Sequence, residues 1–226
     1  MARHNPLETG ILTVLTQNIY FFIRASFYFI ISVFPTILWF LVFDRSLIDL
    51  LFIALFGPAI SAVVRFMVAY IETDFTMDDL PEFNHYQMFY RKNFKESLTF
   101  WIPYIIIMYI ILTNIEAYDW GNYLLGLVMT GVYLLLAALL TLGVGYFFVI
   151  SSKYAFKLKD LFRLSVYYTF TFAKSTFGIL SVLILVLVTV FYVHELVILL
   201  LAGPLAYILV RYGYPVVENV GENFVK

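Results

Sequence analysis

Six long apolar stretches dominate this sequence and restrict it to a membrane fold. They cover residues 19–43, 47–70, 98–113, 123–150, 177–193 and 196–212. About 20 mostly apolar residues form a helix that crosses the hydrocarbon core of a bilayer. Of the 226 residues, 63% are hydrophobic and only 13% are charged, so a soluble fold of this size would lack the polar residues to cover its surface. We predict an all-α, polytopic bundle of six spans that forms a single transmembrane domain over residues 1–226.

The distribution of lysine and arginine predicts the orientation of this bundle. With six spans, one side of the membrane holds both termini and the segments 71–97 and 151–176. When residues at helix ends are counted with their nearest flank, that side carries every Lys and Arg except Arg45. Because positively charged flanks stay in the cytoplasm, both termini are expected to be cytoplasmic.

Two amphipathic segments lie on the predicted cytoplasmic side. Residues 83–97 and 156–174 carry apolar residues at helical spacing and charges on the other faces, so each is expected to be a surface helix that precedes a span. An acidic stretch leads into the first of them. We therefore predict a protein contact region made of Asp74, Asp78, Asp79, Glu82, Arg91, Lys92 and Lys95.

A Gly-Pro pair followed by an arginine occurs in two of the spans. Gly57-Pro58 precedes Arg65, Gly203-Pro204 precedes Arg211, and each arginine lies near the cytoplasmic end of its span. A proline inside a span removes a backbone donor, so Pro35, Pro58, Pro103 and Pro204 are expected to bend their helices. The set with a predicted structural or functional role inside the membrane is Gly57, Pro58, Ser61, Arg65, Gly203, Pro204 and Arg211.

Patterns that would indicate an enzyme are missing from the sequence. His4, His85 and His194 are isolated from one another, and the chain has no cysteine and no phosphate-binding glycine loop. The net charge of -1 gives no basis for nucleic-acid binding. We expect a non-enzymatic protein with no catalytic residues, no metal site and no cofactor.

Three stretches carry a resemblance to a known family. They are LFGPAISA at residues 55–62, FYRKNFKESL at residues 89–98, and the aromatic and lysine-containing segment 146–162. In these stretches the chain resembles the YesL-like family of small bacterial membrane proteins, which has no established catalytic residues. Its members often occur in loci for carbohydrate uptake, beside ABC-type sugar importers. The resemblance therefore implies the cytoplasmic membrane of a bacterium as the location and subunits of such an importer as partners.

Two functions are compatible with these features. The first is an accessory or assembly factor for ABC-type carbohydrate uptake, favoured by the small size and the charged cytoplasmic segments. The alternative is a small stand-alone transporter or channel for a sugar, active as a homo-oligomer, because proline-interrupted spans often form binding sites. In both cases the lipid bilayer is the main surrounding of the chain.

Overall fold

A computed structural model describes residues 11–43, 48–73, 81–117, 123–192 and 195–224. All regular structure within these ranges is α-helical. In chain order the helices are α1 (Ile11–Val42), α2 (Asp49–Ile53), α3 (Phe56–Glu72), α4 (Phe83–Ala117), α5 (Tyr123–Ser151), α6 (Leu158–Thr171), α7 (Ala173–Tyr192), α8 (Glu195–Leu200) and α9 (Ala202–Phe224). Helices satisfy their backbone hydrogen bonds internally, which is what a lipid environment demands.

Five segments of the described chain are long and apolar enough to cross a membrane. They are Asn18–Val42, Asp49–Glu72, Phe83–Ala117, Leu124–Ser151 and Ala173–Tyr192. Their outward faces are apolar: Leu124 is 72% exposed and Phe191 is 79% exposed. Side chains of this kind stay exposed when lipid covers them, so the chain is a multi-span membrane protein.

Helices α3 and α9 form the centre of the bundle. Both pack against α1, α5 and each other, while α4 lies along α3 and α7 lies along α9. Ala62 and Phe66 of α3 and Val210 and Val217 of α9 are completely buried. The core is therefore built on these two helices, each of which follows a short helix and a break.

The predicted surface helix 83–97 is not a separate element. It is continuous with the third apolar stretch in α4, which runs without interruption from Phe83 to Ala117. No glycine or proline occurs between Phe83 and Ile102 to end the helix. The aromatic face that we expected to rest on the membrane packs on protein instead, with Tyr86 against Phe66 of α3 and Tyr28 of α1.

The second predicted surface helix is present as a separate element. Residues 156–174 were expected, and α6 spans Leu158–Thr171, with Phe172 in a non-helical conformation before α7 begins. The sixth apolar stretch, 196–212, is divided between α8 and the first half of α9 by a turn at Leu201.

Candidate functional site

The two Gly-Pro pairs occupy the same place in two broken helices. The first break lies at Ala54 and Leu55, between α2 and α3, and the second at Leu201, between α8 and α9. Each pair supplies the second and third residues of the helix that follows. The first backbone N–H groups of a helix have no partner inside it, so proline costs little there. The spans that contain Pro58 and Pro204 are interrupted three or four residues before each proline, where its missing N–H and its ring disturb a helix, as expected. Pro35 and Pro103 lie inside helices.

The break between α2 and α3 is fixed by two side chains of neighbouring helices. Thr36 of α1 donates from Oγ1 to the carbonyl oxygen of Phe52 at 2.8 Å, and Trp101 of α4 donates from Nε1 to that of Ile53 at 3.0 Å. Gly57 permits this arrangement, because a Cβ there would lie 2.6 Å from the Cβ of Trp101. The break is therefore a rigid joint among α1, α3 and α4. The carbonyl groups of Phe52 and Ile53, at the end of α2, already have side-chain donors.

The break between α8 and α9 is fixed against α1. The backbone N–H of Gly203 donates to Oγ of Ser26 at 2.9 Å. A Cβ at Gly203 would overlap the backbone oxygen of Phe22, so only glycine allows so close an approach. Gly57 and Gly203 thus have the same role, which is close helix packing at the start of a central helix.

Polar contacts connect α3 and α4 with the residues that follow α5, at the end of the bundle where α3 and α5 finish. Arg65 donates from Nη1 to the carbonyl oxygen of Ser152, and its guanidinium lies 5.0 Å from the centre of the Phe89 ring. Lys153 and Glu72 form an ion pair with an Nζ–Oε1 distance of 2.6 Å. The hydrogen bond to Glu72 raises the pKa of the Lys153 ammonium, so this group remains charged.

The two arginines of the repeated motif differ in their surroundings. Arg65 is partly buried among three helices, whereas Arg211 is exposed on α9. Ser61 is buried and accepts a long hydrogen bond from Nδ2 of Asn93, at 3.4 Å. The motif is therefore equivalent at its Gly-Pro pair and not at its arginine.

The predicted protein contact region is only partly described. Asp74, Asp78 and Asp79 lie outside the described residues. Glu82 is exposed just before α4, where its carbonyl oxygen accepts from the N–H groups of His85 and Tyr86. The other members belong to an exposed strip along one face of α4, which we call the cationic strip: Asn84, Gln87, Met88, Arg91, Lys92 and Lys95.

The cationic strip combines positive charge with exposed apolar surface. Met88 is 52% exposed at its centre, and Asn84, Gln87, Arg91 and Lys92 surround it in a shallow depression. Within the described ranges, Arg91, Lys92 and Lys95 form no ion pair with a carboxylate. Such a surface can bind an acidic partner, because its charges are accessible and a polarisable side chain lies between them.

A central cavity of about 270 Å³ lies between α3, α5, α7 and α9, but its lining is almost entirely apolar. Its two hydroxyl groups, on Tyr104 and Thr141, hydrogen-bond each other at 3.0 Å. None of the seven residues predicted for a role inside the membrane lines it. The cavity therefore offers few groups for the hydroxyls of a sugar. No group of three or more metal-binding side chains is found among the described residues.

Several contact residues were not singled out from the sequence. Ser26, Thr36 and Trp101 hold the two breaks, and the Ser152 carbonyl accepts from Arg65. A hydroxyl group inside an apolar span is a usable signal for Ser26 and Thr36, because membrane interiors leave such groups to hydrogen-bond within the protein. The role of Trp101 depends on which residues α3 places beside it, which the sequence alone does not specify.

Comparison with known proteins identifies similarity to an uncharacterised family. A family described as "Protein of unknown function, DUF624" matches residues 15–115. The matched part contains α2 and α3, nearly all of α1 and α4, the Gly57-Pro58 pair and the cationic strip. It is consistent with the resemblance to YesL-like proteins. No curated protein and no solved structure matches the chain.

Proposed function

We propose that this protein is a non-enzymatic membrane protein that binds another membrane assembly through the cationic strip of α4. The resemblance to YesL-like proteins supports an ABC-type carbohydrate importer as that assembly. The main support is the strip itself, in which Arg91, Lys92 and Lys95 are exposed beside Met88. The opposite face of α4 is held by Arg65, Ser61 and Ile53 of the preceding helices, so the strip is displayed on a rigid support.

The proposal includes the topology of the chain. The stretch formed by α8 and the first half of α9 is the sixth span, and the end of the bundle with Lys153 and the cationic strip faces the cytoplasm of a bacterium. The positive-inside rule supports this orientation. The ATP-hydrolysing subunits of an importer lie on the same side, where a cationic surface can reach acidic groups on them or on the cytoplasmic loops of the permease.

Affinity purification in mild detergent from native membranes tests this function. The wild-type protein should recover permease or ATPase subunits of a sugar importer, identified by mass spectrometry. The triple variant R91E/K92E/K95E should recover at least about tenfold less, because charge reversal converts attraction into repulsion at every position. The loss is measured as the amount of importer subunit recovered, divided by the amount of the tagged protein recovered in the same purification.

A matched control is available at Lys174 and Arg211, two exposed cations that lie outside the cationic strip. The double variant K174E/R211E should retain the partner, whereas R91E/K92E, which makes the same change in charge within the strip, should lose it. Equal loss in both variants would mean that overall charge, and not the strip, governs recovery. Recovery of the bait alone by wild-type protein, across several detergents, would contradict the accessory function.

A stand-alone transporter is the second candidate, supported by the two broken helices and the central cavity between them. The apolar lining of that cavity weighs against a sugar substrate, as does the pairing of the Phe52 and Ile53 carbonyls. Purified protein in liposomes, tested with a panel of labelled sugars, separates the two functions. Substrate-specific flux without partner proteins would favour transport.

A further inference from the structure

A second cavity, of about 420 Å³, forms a groove whose walls are α4 and α6 and whose floor is α5. Phe100 and Ile107 contribute from α4, Leu140 and Gly143 from α5, and Phe162 from α6. Ligand pockets have volumes of about 300–1,000 Å³, so the groove is large enough for a ligand. Its lining is apolar over nearly its whole area, which suits a hydrocarbon chain.

Helix α6 presents a continuous apolar stripe along this groove. Leu158, Phe162, Val166 and Phe170 recur every four residues, line the groove and are 37%, 54%, 42% and 71% exposed. A neighbouring face of α6, with Leu161 and Tyr168, is completely buried against the bundle. An amphipathic helix with a second, exposed apolar face is typical of one that lies at the boundary between lipid and water.

Positive charge lies beside the apolar stripe. Lys157 and Lys159 flank Leu158, and Arg163 follows Phe162. All three are exposed, and within the described residues none forms an ion pair, although Asp160 lies on the same helix. Cations at this position attract the anionic headgroups of lipids.

A polar group without a partner lies in the wall of the groove. Ser165 of α6 is 1% exposed, and its Oγ has no hydrogen-bond partner among the described residues. A buried hydroxyl without a partner is costly, and most such groups in proteins have one. An ester carbonyl of a glycerolipid would accept the hydrogen bond that Ser165 can donate.

We infer that this groove binds an anionic glycerophospholipid, with an acyl chain along the α6 stripe and the headgroup at Lys157, Lys159 and Arg163. Each part of such a lipid has a counterpart: apolar lining for the chain, the Ser165 hydroxyl for the ester, and cations for the phosphate. A partner helix or a second copy of this chain would match the stripe but leave the cations and Ser165 without a role. The inference is independent of the partner proposed for α4.

Filling the groove tests the inference. A Cβ at Gly143 would meet no atom within 4 Å, so the variant G143L places its side chain in the groove without a clash at Cβ. Gly131, on the same helix but outside the groove, is equally open and provides the matched control G131L. Native mass spectrometry in mild detergent should show about one phospholipid retained by wild type and by G131L, and at least about tenfold lower occupancy in G143L.

The headgroup contacts are tested by first placing the protein in vesicles that contain equal amounts of phosphatidylglycerol and phosphatidylethanolamine. The lipid that the protein retains in mild detergent is then identified by the same native mass spectrometry. Wild type should retain mainly phosphatidylglycerol, and K157Q/K159Q/R163Q should lower that preference at least about tenfold while it remains folded. Equal lipid retention by wild type and G143L would overturn the inference. A wild-type dimer without lipid that G143L makes monomeric would also overturn it, because a second copy would then occupy the groove.

Discussion

The variant G203A should unfold at a temperature about 2–12 °C below that of the wild-type protein in detergent. The added methyl group would overlap the backbone oxygen of Phe22, and a backbone atom cannot move aside as the end of a side chain can. Inserting a group into a well-packed core costs about 1–3 kcal/mol, and each kcal/mol lowers the unfolding temperature of a protein of this size by about 2–4 °C. Separation of α9 from α1 would also weaken the hydrogen bond from Gly203 to Ser26.

The control for this experiment is G131A, at a glycine whose added Cβ meets nothing within 4 Å. Alanine is the better helix former by up to about 1 kcal/mol, so this variant should be as stable as wild type or slightly more stable. A thermal shift assay on both purified variants gives the comparison. Similar unfolding temperatures for G203A and G131A would show that α9 does not approach α1 as closely as described.

Replacing Trp101 should have an effect at least as large. W101A removes the indole that packs on Gly57, Tyr104 and Phe148, and it also leaves the Ile53 carbonyl without its side-chain donor. Truncation of a packed tryptophan to alanine costs about 3–5 kcal/mol. We expect loss of the monodisperse peak in size-exclusion chromatography at the growth temperature, or a strongly lowered unfolding temperature.

The variant W101F separates the two contributions of this side chain. Phenylalanine retains most of the packing but cannot donate to Ile53, so its cost should be about 1–2 kcal/mol, well below that of W101A. The same thermal assay measures both. Equal unfolding temperatures for W101F and wild type would show that the break between α2 and α3 does not depend on this hydrogen bond.

The helical fold and its apolar segments were predictable because they follow from local composition. The stretch predicted at 123–150 is the helix Tyr123–Ser151. Of the stretch predicted at 177–193, residues 177–192 lie in the helix Ala173–Tyr192, and residue 193 is outside the described residues. Runs of apolar residues of this length have few other stable structures in lipid. The Gly-Pro pairs were also recognisable as special positions, and the structure places Gly57 and Gly203 at close helix contacts.

Other features depended on contacts that no local pattern contains. The aromatic stripe of residues 83–101 has the same spacing whether it rests on a bilayer or packs on α1 and α3, so the continuity of α4 was not predicted. Arg65 and Arg211 have equivalent sequence positions, but neighbouring helices decide how far each is buried. Of the predicted protein contact region, Asp74, Asp78 and Asp79 lie outside the described residues.

The proposed topology is tested most directly by single-cysteine labelling, which is simple because the chain has no cysteine of its own. Four exposed positions serve: K92C on the cationic strip, K159C on α6, E222C near the end of α9, and E116C at the end of α4. In intact cells, a membrane-impermeant maleimide should label E116C alone, and all four should react after permeabilisation. Labelling of K92C, K159C or E222C in intact cells would contradict six crossings with both the strip and the C-terminal helix end in the cytoplasm.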